Sequence, residues 1–290
     1  MRDFVIITDS CCDLTQPMAD EMGLLVQPLS LLMGENTYKN YLDGREIGFK
    51  EFYDRLRGGE LGTTSAVSVG DFTDVMRPVL EAGKDVLCIA FSGALSTTYQ
   101  SAVIAADDLK EEFPDADIRV VDSKNASMGQ GLLVHLCNEQ KKAGKGLEEV
   151  HAFCLETLPK TCAWFTVNDL YHLKRGGRVS AATAVVGSML SIKPVLHVDS
   201  EGRLTSVSKA RGRKPSLMAL VDQMEKTAID PANQTVFISH GDCLEDAQIV
   251  ADEIRRRFGT QDIRINYVGP VIGNHAGAGV VALFFLGAEK

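Results

Sequence analysis

The chain has 290 residues, enough for one large domain or two of ordinary size, and its 45% hydrophobic content is typical of a globular protein with a sizeable core. A net charge of −9 argues against nucleic acid as a partner. No apolar run reaches the ~20 residues that a transmembrane helix needs. We expect no signal peptide and a cytoplasmic location, with the seven cysteines as free thiols.

The first half of the chain alternates strands with helices. The predicted strands cover 4–8, 86–91 and 118–121, and a hairpin is expected within 24–41, turning at Gly34. Helices are predicted at 16–22, 49–57, 68–82 and 97–113, and a further helix is predicted after Ser123, ending at about 142. Three consecutive β-loop-α units indicate a parallel sheet covered by helices. The stretch 141–146, rich in lysine and glycine, predicts a boundary between domains 1–146 and 147–290.

The second half mixes helices with hairpins. Strands are predicted at 163–167, on both sides of 200–202, at 235–239, at 263–268 and up to 286. Helices are predicted at 147–158, 214–228 and 244–258, with a helix of small residues at 181–190. A basic turn at 173–180 and a glycine-rich loop at 269–279 complete the pattern. This mixture favours an α+β layer packed on a mixed sheet.

Two hydroxyl-rich segments are the first candidate site. Thr63, Thr64 and Ser65 precede one predicted helix, while Ser92 and the run 96–98 precede another. A single serine or threonine before a helix is usually only a cap. Clustered hydroxyls beside helix N-termini, at the carboxyl edge of a parallel sheet, form a site that can hold an anion.

The other candidate side chains leave alternatives open. His275 lies between Gly273 and Gly277, where a ligand-binding histidine and a structural one are equally plausible. Asp9 and Asp13 follow the first strand and could bind magnesium or act as bases, although capping is favoured for Asp13. The other histidines are scattered, so no metal is assigned. Neither a phosphate-binding P-loop nor a nucleophile elbow occurs, and no cofactor is assigned.

Basic residues stand out in this acidic chain. Lys174, Arg175 and Arg178 form one group, and a second basic run covers 209–214. Such runs are usually solvated surface. The alternative is a docking face for an acidic protein partner or for an anionic lipid surface.

Taken together, the motifs resemble those of the DegV family of bacterial fatty-acid-binding proteins over nearly the whole chain. The matching segments are 7–10 with 13–14, 64–65 with 71–72, 95–102, 121–123, 176–180, 192–194, and His275-x-Gly277-x-Gly279. The chain departs from the usual family pattern at 66–68, Thr97, Ala278 and Val280. These departures concern ligand preference more than ligand class.

The resemblance implies an α/β fold of two domains, which is also related to that of dihydroxyacetone kinase. The first domain would be a three-layer α/β/α unit with a parallel sheet, and the second an α/β unit with a mixed sheet. A long-chain fatty acid would lie in a buried tunnel. Its carboxylate would be held by Thr64 and Ser96, with Ser65, Ser92 and His275 nearby. Independently of the resemblance, the small residues of 181–188 could leave room for the acyl chain, although they would equally permit close helix packing.

The same resemblance implies a carrier that is not itself an enzyme. A separate ATP-binding fatty acid kinase subunit would phosphorylate the carboxylate, and the carrier would then hold the acyl phosphate. Lys174, Arg175, Arg178 and Arg203 would form the face that docks the kinase, with transient contact to a membrane surface. Burying roughly a dozen methylenes at about 0.8 kcal/mol each supplies on the order of 10 kcal/mol before losses.

An alternative function is a self-sufficient enzyme of the dihydroxyacetone kinase type. It would act on a small polar substrate through a covalent adduct on His275. That reading requires a small polar pocket and, usually, a fused ATP-binding domain.

Overall fold

A four-stranded parallel sheet organises the first half of the chain in the computed structural model, which describes residues 2–179 and 191–290. Its strands are β1 (Phe4–Asp9), β2 (Leu25–Gln27), β6 (Asp85–Ala90) and β7 (Ile118–Asp122), in the order β2-β1-β6-β7. The central strand β6 is buried along its entire length. This burial is typical of a parallel strand covered on both faces, and it explains the continuous apolar run in the sequence.

Helices cover both faces of this sheet. The elements are α1 (Gln16–Glu21), α3 (Val69–Glu81), α4 (Thr98–Glu112), α5 (Met128–Lys142) and α6 (Leu147–Thr157). Val86 and Cys88 of β6 pack with α3 and α4, whereas Leu87 and Ile89 pack with α5 and α6. Successive strand residues point to opposite faces. The predicted three-layer arrangement is therefore confirmed.

The hydroxyl-rich segment 63–65 is a strand rather than a loop. Here β3 (Ser30–Met33) and β4 (Asn36–Lys39) form the predicted hairpin after α1, but β2 joins the parallel sheet instead. The third strand of this small sheet is β5 (Thr63–Ser65), which pairs with β3 so that Thr64 lies opposite Leu31. Helix α2 (Phe49–Arg57) lies between β4 and β5 in the chain. The backbone of 63–65 finds its strand partner more than 30 positions earlier in the chain, at residues 30–32. Local sequence patterns do not reveal such long-range pairing.

A six-stranded mixed sheet organises the second half. Its strands are β8 (Thr161–Thr166), β9 (Ile192–Val198), β10 (Leu204–Arg211), β11 (Val236–His240), β12 (Ile263–Tyr267) and β13 (Val281–Leu286). The order is β10-β9-β8-β13-β11-β12, and β11 with β12 is the parallel pair. Helices α8 (Arg213–Thr227) and α9 (Leu244–Phe258) cover one face, and α5 contacts the other. The mixed sheet is as predicted.

Two segments of the second half differ from the prediction. The glycine-rich stretch forms helix α10 (Pro270–Ala276), which begins with proline in its first turn. The basic turn is in part helix α7 (Tyr171–Arg175), so Lys174 and Arg175 are helical. The predicted small-residue helix at 181–190 lies outside the described residues. Among the helices of the two described ranges, none is both long and apolar enough to cross a membrane.

One hydrophobic cluster contains residues of both sheets. Each sheet takes its strands from one side of residue 146, yet buried residues of α5 and α6 pack in the same cluster as Phe165 and Phe284 of the mixed sheet. The domain boundary near residue 146 therefore stays a prediction. The continuous core places the edge of the parallel sheet against one face of the mixed sheet, where the candidate site lies.

Candidate functional site

A cavity of about 430 Å³ lies between the two sheets. Its size is within the ~300–1,000 Å³ usual for ligand pockets. One face of the mixed sheet contributes a largely apolar wall, formed by Ala163, Phe165, Val198, Ala282 and Phe284. Leu29, Phe91, Leu95, Leu173, Val271 and Ile272 complete much of the remaining wall. The lining is that of a site for an apolar molecule.

Polar side chains meet at one part of this cavity. Thr64 Oγ1 lies 2.8 Å from Nε2 of His275, and both residues line the cavity. Asn274 fixes the two relative to each other, since its side-chain amide accepts from Gly62 N at 2.9 Å and donates to Gly62 O at 3.0 Å. Helix α10 is thereby clamped to the segment that leads into β5. The residues brought together are 211 positions apart in the chain.

His275 is held as a neutral imidazole. Burial and the nearby Arg178 and Arg175 lower the pKa of His275 to about 4. Its Nδ1 is buried without a hydrogen-bond partner among the described residues, and a Cβ on Gly176 would lie 2.1 Å from that atom. We therefore assign the ring proton to Nε2, which donates to Thr64 Oγ1. The Thr64 hydroxyl hydrogen is then available to a ligand in the cavity.

Ser96 supplies a second hydroxyl at the start of α4. Its Oγ accepts from Thr98 N at 3.2 Å and lies 2.9 Å from Thr98 Oγ1. Thr98 Oγ1 in turn accepts from Val67 N at 3.4 Å, which links the 92–98 loop to the segment after β5. Ser96 is half-buried and lines the cavity next to a helix N-terminus, whose dipole favours negative charge.

Ser65 and Ser92 are placed differently from each other. Ser65 lines the cavity, although it is exposed. Ser92 is fully buried, and its hydroxyl donates to Gly202 O at 2.9 Å and accepts from Ala94 N at 3.3 Å. It is not among the described residues that line the cavity. This hydroxyl holds the 92–98 loop to the β9–β10 turn, and a place for Ser92 near the carboxylate stays a prediction.

Arg178, expected on the docking face, lies at the cavity. It is half-buried, lines the cavity and donates from Nε to Leu95 O at 3.3 Å. Burial lowers the pKa of its guanidinium from the ordinary value. A half-buried cation beside hydroxyls is a natural partner for a carboxylate or phosphate. The sequence showed the charge of this residue but not the cavity that it faces.

The other basic residues divide into two groups. Arg175 donates to Asn274 O at 2.9 Å and to Gly62 O at 3.3 Å, so it supports the clamp between α10 and β5. Lys174 and Arg203 are exposed. Of the four residues expected to dock a partner, these two alone combine exposure with no described structural hydrogen bond of their side chains.

Sequence reasoning missed three groups at the site. Asn274 forms the clamp described above, and Ser127 and Ser239 add hydroxyls to the cavity wall. Ser127 lies in the loop between β7 and α5, as Ser92 lies in the loop between β6 and α4, and this position in a strand-to-helix loop is a signal that could have identified it. Ser239 lies inside a buried strand, where the sequence pattern predicts only packing.

Comparison with known proteins gives a consistent result. The model of the uncharacterised DegV protein family matches residues 3–288. A DegV domain-containing protein of Clostridium perfringens is 43% identical over 290 residues, covering 100% of this chain and 99% of its own.

Two solved structures are similar over their full length. A fatty-acid-binding DegV family protein of Thermus thermophilus has a TM-score of 0.86 at 30% identity, covering 99% of this chain and 100% of the other. A DegV lipid-binding protein of Thermotoga maritima has a TM-score of 0.88 at 27% identity, covering 99% of each chain. The sequence, the fold and the whole-length matches agree, and the chain belongs to the DegV family.

Proposed function

We propose that this protein binds a long-chain fatty acid, with the acyl chain in the 430 Å³ cavity and the carboxylate at Thr64, Ser96 and Arg178. The observation that carries the proposal is an apolar cavity with hydroxyls, a neutral histidine and one half-buried arginine in its wall. Similar DegV proteins of Thermus thermophilus and Thermotoga maritima, described as fatty-acid- and lipid-binding, support it.

Affinity and orientation come from different parts of the ligand. Each buried methylene contributes about 0.8 kcal/mol, so the acyl chain supplies most of the binding free energy. A carboxylate leaves water only when its charge is met by hydrogen bonds or by a cation. Thr64 and Ser96 can donate hydroxyl hydrogens, and Arg178 supplies positive charge. His275 positions Thr64 through its Nε2–H.

The arrangement suits a ligand that reacts outside this chain. The proposed second step is phosphorylation by a separate ATP-binding kinase subunit. A carboxylate oxygen attacks the γ-phosphorus of ATP, the bond to ADP breaks, and an acyl phosphate forms. Arg178 and the α4 N-terminus would also favour the acyl phosphate, which keeps negative charge at the same place. The absence of a P-loop motif from the sequence supports a partner for this step.

The exposed residues Lys174 and Arg203 are the proposed contacts for that kinase. The same two residues are proposed to touch an anionic membrane surface during fatty acid exchange. The alternative of a dihydroxyacetone-kinase-like enzyme finds less support. A small polar substrate does not match a wall of phenylalanine, valine and alanine side chains, and Nε2 of His275 is engaged by Thr64.

Organic extraction of protein purified without detergent, followed by mass spectrometry, tests the binding proposal. We expect long-chain fatty acid in about equimolar amount. A clean extract, together with no binding when fatty acid is added to the delipidated protein, would overturn it.

The docking proposal has its own test. Lys174→Glu with Arg203→Glu should reduce kinase-dependent acyl phosphate formation and leave fatty acid affinity within about 2-fold, since surface charges act mainly on association. Lys110→Glu, a single charge reversal at an exposed position of α4, is a control for a charge change elsewhere on the surface. Equal loss in both variants, or a loss of fatty acid binding, would exclude this face.

A further inference from the structure

The cavity has a second polar patch, separate from the carboxylate site. Ser127 Oγ and Ser239 Oγ lie 2.8 Å apart, and both residues line the cavity although each is almost fully buried. Ser239 faces the cavity from the mixed sheet, where its neighbours across the strands are Ala282 and then Phe165. The hydroxyl pair is thus set into an otherwise apolar wall.

The patch is backed by a buried carboxyl group. Ser127 Oγ lies 2.6 Å from Asp13 Oδ2, and Asp13 Oδ1 accepts from Gly269 N at 3.0 Å. Ser127 has φ 53° and ψ −146° at the start of α5, a conformation that residues other than glycine rarely adopt. The backbone is held in this unusual conformation with the Ser127 side chain between Asp13 and Ser239.

Hydrogen-bond counting leaves Ser239 with unused capacity. The Asp13–Ser127–Ser239 chain uses one hydrogen in each of its two contacts. A hydroxyl offers one donor and two acceptor positions. Ser239 therefore keeps at least one free hydrogen-bonding position, whether it donates to Ser127 or accepts from it. Contact with a plain alkyl chain would leave that position unsatisfied, which is unfavourable for a buried polar atom.

Helix α10 sets the distance between the two polar sites. Asp13 binds the helix at Gly269, immediately before its first residue, and His275 lies six residues later. At ~1.5 Å per residue this is about 9 Å along the helix axis. The patch that Asp13 backs therefore belongs to the end of α10 opposite the Thr64–His275 pair, away from the proposed carboxylate site.

We propose that the Ser127–Ser239 pair is a specificity site for fatty acids that carry a hydroxyl group at mid-chain. This inference rests on the proposed fatty acid binding. A ligand hydroxyl can both donate and accept, so it can form a hydrogen bond with Ser239 whether Ser239 donates to Ser127 or accepts from it. A keto group only accepts, and a double bond does neither well.

The test is displacement of a fluorescent fatty acid from the delipidated full-length protein. The competitors are stearic acid, mid-chain hydroxystearic acid, stearic acid with a hydroxyl at the methyl end, and mid-chain ketostearic acid. We expect mid-chain hydroxystearic acid to bind about 3- to 10-fold more tightly than stearic acid, the effect of one added buried hydrogen bond. The methyl-end isomer should bind more weakly than stearic acid.

Two variants locate the effect. Ser239→Ala should abolish the preference, because it removes the hydroxyl that the ligand hydroxyl would meet. Ser206→Ala, a half-buried strand serine that is not among the described lining residues, should keep the preference. Denaturant unfolding confirms that both variants fold.

The outcomes separate the two proposals. Equal binding of stearic and mid-chain hydroxystearic acid, or a preference that survives Ser239→Ala, would overturn the specificity site alone. Failure of every fatty acid to bind the folded protein would overturn fatty acid binding and, with it, this inference.

Discussion

Replacing Thr64 by valine tests the proposed carboxylate site most directly. Valine has nearly the same shape and is equally suited to a strand, so β5 should keep its pairing with β3. The change removes the hydroxyl that lies 2.8 Å from His275 Nε2 and is free to donate into the cavity. A hydrogen bond to a charged group contributes about 1.5–3 kcal/mol, so we expect fatty acid affinity to fall by about 10- to 150-fold.

A comparison of the acid with its methyl ester separates the head group from the acyl chain. Both ligands bury the same methylenes, but the ester has no charge for Thr64 to meet. Isothermal titration calorimetry of the wild type and Thr64→Val with both ligands gives four affinities. Together they form a thermodynamic cycle in which one change is in the protein and the other is in the ligand head group. The variant should lose affinity for the acid while its affinity for the ester changes by less than about 3-fold.

Thr63→Val is the matched control, since Thr63 precedes Thr64 on β5, is exposed and points to the other face of the strand. It should leave both affinities unchanged. An equal loss for acid and ester in Thr64→Val, or a similar loss in Thr63→Val, would refute the assignment of Thr64 to the carboxylate.

Three further predictions follow from the geometry. Gly176→Ala would place a Cβ 2.1 Å from His275 Nδ1, so the free energy of unfolding should fall by about 1–3 kcal/mol in denaturant titrations. Gly70→Ala is the control: a Cβ there would lie 3.8 Å from Ser68 Oγ, so this variant should not be destabilised. Ala282→Leu should fill the cavity and weaken long-chain acids more than short-chain ones in displacement assays; equal weakening would contradict the assigned wall. Burial raises the pKa of Asp13 to about 8 and that of Asp9 to about 6. The folded protein therefore keeps a proton on Asp13 that the unfolded chain has lost, and stability should fall as pH rises between about 6 and 8, by up to ~1.4 kcal/mol per pH unit. Asp13→Asn, which mimics the protonated acid, should flatten that decline in unfolding experiments at several pH values; an unchanged slope would show that Asp13 is ionised in the folded state.

Local patterns predicted most elements to within a few residues. Helices α2 and α9 begin and end where their amphipathic patterns do, and Ser68 caps α3 through a reciprocal bond with Asp71. Such elements are specified by neighbours in the chain. The segments 63–65 and 270–276 were predicted as loops, because the strand and the helix that they form are fixed by partners far away in sequence.

The sequence by itself determined the layers of the fold, the family, and Thr64, Ser96 and His275 as candidate ligand-binding residues. Only the tertiary structure decided which side chains share a cavity. In it, Arg178 lines the cavity, and the Ser92 hydroxyl binds Gly202 O in a loop contact. Ser127 and Ser239, which are 112 positions apart in the chain, lie within hydrogen-bond distance. The physical reason is that periodicity and capping depend on residues a few positions apart, whereas a cavity is formed where two sheets meet and their side chains leave space unfilled.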